Sequence, residues 1–135
     1  MPRAQTKVLV IEDDREVAAL IVEELLDRGY DVSVAYDGQE GWSTIVETEP
    51  DLVLSDLIMP VMSGLDILER LTAEATRFRA TRFIFLTGLS NRESQLSAMQ
   101  LGADDLIIKP IDFDLLHTMI SARLAGVART AGWPE

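Results

Sequence analysis

The chain has 135 residues, with 12 basic against 23 acidic side chains, a formal net charge of −11, one histidine and no cysteine. That length suits one domain, and a hydrophobic fraction of 47% is enough to build its core. Disulfides, thiolate metal sites and multi-histidine metal sites are excluded, and the acidic balance argues against binding nucleic acid or anionic lipid by bulk electrostatics.

In chain order, "KVLVIE" reads as a first strand. Asp14 then caps a helix carrying Val17, Leu20, Ile21 and Leu25 on one face, closed by Gly29. "DVSVAY" alternates, with Val32, Val34 and Tyr36 on one side, the pattern of an edge strand, and Asp37-Gly38 reads as an ordinary turn. Trp42, Ile45 and Val46 mark a second helix, stopped by Glu49-Pro50. "DLVLS" is the third strand, and a third helix starts near Gly64 with Leu65, Leu68 and Leu71 inward. "RFIFLT" is the fourth strand; Asn91 caps the fourth helix, with Leu96 and Met99 inward and Gly102 at its end. Asp104-Asp105 reads as a turn into the fifth strand, "DLIIK", and Asp112 caps a fifth helix with Leu116, Met119, Ile120 and Leu124 at helical spacing. Residues 1–126 read as the domain and 127–135 as a tail, either a frayed end or the start of a linker.

Strict β/α alternation, with mostly continuous apolar strands, predicts an α/β fold: one doubly wound five-stranded parallel sheet with right-handed crossovers and helices on both faces. Ligands of such sheets bind beyond the carboxyl ends of the strands, where strand order reverses. The side chains expected there are Glu12 and Asp13 after the first strand, Asp56 after the third, Thr87 after the fourth and Lys109 after the fifth. Three carboxylates so close repel one another, and the usual remedy is a divalent cation. An all-oxygen donor set suits Mg²⁺, with Mn²⁺ the other candidate. Lys109 and Thr87 supply a mobile cation and a hydroxyl for phosphoryl oxygens, which leaves Asp56 as a nucleophile able to form an aspartyl phosphate.

Four stretches, "KVLVIEDD", "DLIMPVMSG", "FLTG" and "GADDLIIKP", in this order and at these spacings, resemble the receiver domain of two-component response regulators. The resemblance runs from roughly Lys7 to Leu124. It implies a flavodoxin-like (βα)5 fold with strand order 2-1-3-4-5. It also implies that Asp56 is the phosphoacceptor, that Asp13 binds Mg²⁺ directly and Glu12 through water, and that a carboxylate oxygen of Asp56 and the backbone carbonyl of Ile58 complete the shell. Thr87 and Lys109 fall on the family's phosphoryl-contacting positions. The implied reaction is phosphoryl transfer from a phosphohistidine of a sensor histidine kinase or phosphotransfer protein to Asp56, then slow hydrolysis. The chain would thus be a phosphorelay switch that assists its own phosphorylation, not a turnover enzyme. The implied partners include a phosphorylation-dependent homodimer, and the family allows a cis bond before Pro110.

Two departures stand out. The family commonly carries Tyr or Phe three residues before the lysine, where this chain has Leu106, so the aromatic readout of the switch is missing. Ile58 and Leu89, two residues past Asp56 and Thr87, are aliphatic and cannot orient an attacking water by hydrogen bonding, which predicts a long-lived phosphoryl group. Competing readings are a degenerate receiver acting as a docking module and an aspartyl-phosphate phosphatase. The second wants an aspartate at the position of Ile58. A flavin-binding relative of the fold would need a phosphate-cradling loop where "EDD" stands. Plainer roles fit the rest: Asp14 as a cap rather than a metal ligand, His117 as a surface or half-buried side chain without a visible partner, Met59 and Met62 as loop packing, Trp133 as an exposed tail aromatic. No apolar run approaches the roughly 20 residues of a membrane span, and "MPRAQTK" leads into no apolar signal region. The reading is therefore a cytoplasmic domain with neither direct nucleic-acid binding nor membrane insertion.

Overall fold

The computed structural model describes residues 5–78, 80–88 and 92–126. Five parallel strands, β1 (Lys7–Ile11), β2 (Asp31–Ala35), β3 (Leu52–Asp56), β4 (Arg82–Thr87) and β5 (Asp105–Ile108), form one sheet in the order β2-β1-β3-β4-β5. The expected strand order is therefore correct, and β2 is an edge strand, with β5 the other edge. Strand residues alternate between two apolar layers. Leu9, Ile11, Val53, Phe83 and Phe85 point to one, under α2 (Gly38–Thr48) and α3 (Gly64–Ala73). Val8, Val10, Leu52, Leu54, Ile84 and Leu86 point to the other, under α1 (Arg15–Asp27) and α6 (Phe113–Leu124). Because β1, β3 and β4 are covered on both faces, their sequences run almost continuously apolar.

Helix boundaries follow local chemistry. Asp14 caps α1 by accepting from the backbone N–H groups of Glu16 and Val17, and Asp112 does the same for α6. At α3, Ser63 and Asp66 form a reciprocal capping box, each side chain accepting from the other's backbone N–H. Asp37 is not part of a plain turn: it caps α2, and Gly38 is that helix's first residue.

Several expectations change. A short helix, α4 (Ala75–Phe78), follows α3 and, with α5 (Arg92–Gln100), makes six helices among the described residues. It delivers Phe78 to the core, edge-to-face with Trp42. Leu20 is 56% exposed: the buried stripe of α1 runs through Ala18, Ile21 and Leu25, and one residue is about 100° of helix rotation. Leu96 is exposed for a similar reason, two residues from Ala98, the fully buried side chain of α5. Val46 lies at the exposed margin of α2. Asp104 does occupy the turn, accepting from the Phe83 N–H, but Asp105 opens β5 and is buried in an ion pair with Arg123. His117 has a partner, the Tyr30 hydroxyl at 3.3 Å. Met59 and Met62 pack on the core as expected. The readings of Asn91, Leu89, Trp133 and the tail 127–135 fall outside the described residues.

Candidate functional site

The β1 and β3 ends lie side by side, Ile11 opposite Ser55, so Glu12 and Asp56 emerge together at the sheet edge. Glu12, Asp13 and Asp56 each place one carboxylate oxygen within 4.8 Å of the others. Glu12 is fully buried, Asp56 is 5% exposed and Asp13 faces solvent. From the far edge, Lys109 extends its Nζ to 2.8 Å from both Glu12 Oε1 and Asp56 Oδ1. Its backbone N–H donates to the Thr87 carbonyl at 2.7 Å, which fixes the end of β5 to the end of β4. The Lys109–Pro110 peptide bond is cis. Thr87 is buried at the last position of β4, and its hydroxyl donates to the Gly88 carbonyl at 3.3 Å.

The protonation of this cluster follows from its packing. Burial above all, then the hydrogen bond and charge of Glu12, push the Asp56 carboxyl up to about 8 against the opposing pull of Lys109. Burial also works against a charge on Glu12. Hydrogen bonds with Asp56 and Lys109, and from the Asp14 N–H, outweigh it and hold Glu12 below its ordinary value. Burial alone would lower the Lys109 ammonium, but the two carboxylates hold it above its usual range. One cation cannot balance two buried carboxylates, so Asp56 keeps a proton where an exposed aspartate would have lost it.

The floor of the site is built by the loop after β3. The Asp56 carbonyl accepts from the Ser55 hydroxyl at 2.9 Å, and Gly64 N–H donates to the Leu57 carbonyl at 3.1 Å. A Cβ at Gly64 would collide with the Asp56 carbonyl oxygen and lie 2.7 Å from the Phe85 ring. Between them, Met62 N–H donates to the Pro60 carbonyl across Val61, which takes φ 68° and is 96% exposed. Ile58, on the same loop, is 53% exposed. The packing role of Gly64 is not visible in a motif read residue by residue. The sequence signal for it was "SG" directly before an apolar helix.

A family model described as the response regulator receiver domain matches residues 8–121. The chain belongs to the response regulator receiver family. Among relatives, this receiver is 38% identical over 117 residues to the transcriptional regulatory protein DltR of Streptococcus agalactiae, covering 87% of this chain and 51% of that protein. It is 35% identical over 119 residues to the response regulator ArlR of Staphylococcus saprophyticus, covering 88% and 52%. The chain thus spans about half the length of these relatives. Among solved structures it is similar to a receiver domain from Clostridium thermocellum, at 28% identity and TM-score 0.81, covering 90% of this chain and 95% of that one. It is likewise similar to the receiver domain of a histidine kinase from Syntrophus aciditrophicus, at 30% identity and TM-score 0.82, covering 98% of each.

The receiver's carboxylate cluster suits a hard divalent cation. Its donors are all oxygen, two of the three carboxylates are buried, and their mutual repulsion is only partly relieved by Lys109. Both oxygens of Glu12 are already engaged, one by Lys109 and the other by the Asp14 N–H. Among the described residues, no helix is long and apolar enough to cross a membrane.

Proposed function

We propose that this receiver takes a phosphoryl group from a phosphohistidine onto Asp56 and that the modified form differs in partner affinity. The observation that carries this reading is the Asp56 carboxylate held at the sheet edge with Lys109 at 2.8 Å and two further carboxylates beside it. In the transfer, a carboxylate oxygen of Asp56 attacks phosphorus in line with the departing imidazole nitrogen; the P–N bond breaks as the O–P bond forms. Lys109 is poised to move its ammonium from the two carboxylates onto an equatorial phosphoryl oxygen, and the Thr87 hydroxyl to donate to another. Asp13, Asp56 and the Ile58 carbonyl would hold Mg²⁺, with Glu12 contributing through water. Bound there, the cation would favour the ionised Asp56 and neutralise phosphoryl charge. Two engaged oxygens on Glu12 fit that outer role.

The phosphohistidine would be presented by a sensor histidine kinase or a phosphotransfer protein, and self-association of the phosphorylated receiver is a further part of the reading. Incubation with acetyl phosphate and Mg²⁺, followed by intact mass, tests it. One added phosphoryl group that needs Mg²⁺ and is absent from Asp56→Asn is the expected result. Failure of the folded protein to take up phosphoryl would favour a docking module instead, and sustained release of inorganic phosphate would favour a phosphatase. Sizing the same samples tests self-association.

A further inference from the structure

With Leu106 where an aromatic switch residue commonly stands, the chain needs another way to pass a change at Thr87 to its surface. The Gly88 carbonyl accepts two hydrogen bonds, from the Thr87 hydroxyl at 3.3 Å and from Nε2 of Gln95 at 3.0 Å. Gln95 sits on α5, so one carbonyl links the hydroxyl at the site to that helix. The helix is lightly anchored: of its nine residues Ala98 is the buried one, and Leu96 faces solvent. Leu106 itself packs partly against the same apolar layer as Ala98 and Ala103, with no polar atom to reach toward Thr87.

We propose that Gln95 is a positioning residue that couples Thr87 to α5 through the Gly88 carbonyl, replacing the missing aromatic readout. The inference rests on the phosphoacceptor reading above. When the Thr87 hydroxyl turns to a phosphoryl oxygen, it leaves the Gly88 carbonyl, and the backbone of Thr87–Gly88 shifts toward Asp56. Gln95 keeps its bond to that carbonyl and draws α5 with it. A side chain at this position must therefore donate a hydrogen bond. Glutamate has the same shape but offers the carbonyl only an acceptor, whereas lysine can still donate.

The test is amide hydrogen exchange on the full chain, with and without Mg²⁺ and beryllofluoride as a phosphoryl mimic. In the wild type, exchange should change both at Thr87–Gly88 and across Arg92–Gln100. In Gln95→Glu and Gln95→Ala the first change should persist and the second disappear. In the unliganded state, α5 of both variants should exchange roughly fivefold faster, the effect of losing one hydrogen bond. Gln95→Lys should behave as the wild type. A response of α5 in Gln95→Glu equal to that of the wild type would overturn the coupling, as would a wild-type α5 that does not respond while Thr87–Gly88 does. Absence of any response at Asp56 and Thr87 in the wild type would instead reject the phosphoacceptor reading, and the coupling with it.

Discussion

Replacing Asp56 by Asn should change how stability depends on pH in the absence of divalent cations. The folded Asp56 carboxyl titrates at about 8, raised by burial and by Glu12, whereas in the unfolded chain it titrates at about 3.9. Between those values the folded protein holds a proton that the unfolded chain has released. Stability is therefore fully supported by this group at acid pH and falls as pH rises toward 8. The slope is at most about 1.4 kcal/mol per pH unit, since the side chain is only 7% exposed and little screened. Asn does not titrate. The stability of Asp56→Asn relative to the wild type should consequently rise by up to about 4 kcal/mol from pH 5 to pH 8, then level off. Glu12, held below its ordinary value, loses its contribution only as pH falls through the acid range, and Lys109, held above its usual range, loses its contribution only as pH rises into the alkaline range, so this window isolates Asp56. Urea denaturation of both proteins in EDTA at four pH values measures the difference. A constant gap from pH 5 to 8 would refute the reasoning, because it would mean that the folded Asp56 titrates as an exposed aspartate does.

Lys109→Met removes the cation shared by Glu12 and Asp56; it should cost about 3 kcal/mol at pH 8 in EDTA, measured by urea denaturation, with much of the loss recovered on adding Mg²⁺. The same variant should accept phosphoryl from acetyl phosphate about a hundredfold more slowly, followed by intact mass. Gly64→Ala places a methyl group against the Asp56 carbonyl and the Phe85 ring; it should destabilise by about 2 kcal/mol in a thermal melt and slow phosphoryl uptake by displacing Asp56. Ile58→Asn supplies a polar group two residues past Asp56, the proposed acceptor, and should shorten the half-life of the purified phosphoprotein several-fold, whereas an unchanged half-life would remove Ile58 from the control of hydrolysis.

The sheet and the candidate site are legible because their signals are local and repeated. Apolar runs of strand length, each ending in a polar side chain, assign Glu12, Asp56, Thr87 and Lys109 to one edge of the sheet. Caps at Asp14 and Asp112 followed from residue type alone. What escaped the sequence depended on distance in three dimensions. The exposure of Leu20 and Leu96 is decided by which of several apolar residues a helix turns inward, and in α1 and α5 the small residues Ala18 and Ala98 hold buried places. Asp105 looked like half of a turn because its partner, Arg123, lies on another element. The Tyr30–His117 contact and the Gln95–Gly88 hydrogen bond join residues with no shared motif. That Lys109 bridges Glu12 and Asp56 depends on three side chains from three strand ends meeting in space, which no local motif states.

The most direct test of the central claim is to locate the phosphoryl group on the chain. After reaction with a phosphodonor and Mg²⁺, borohydride reduction converts an aspartyl phosphate to homoserine, and peptide mass mapping then finds the altered residue. The account predicts homoserine at position 56 and nowhere else. Reduction at Glu12 or Asp13, or a borohydride-resistant phosphoryl group on a hydroxyl side chain, would contradict it.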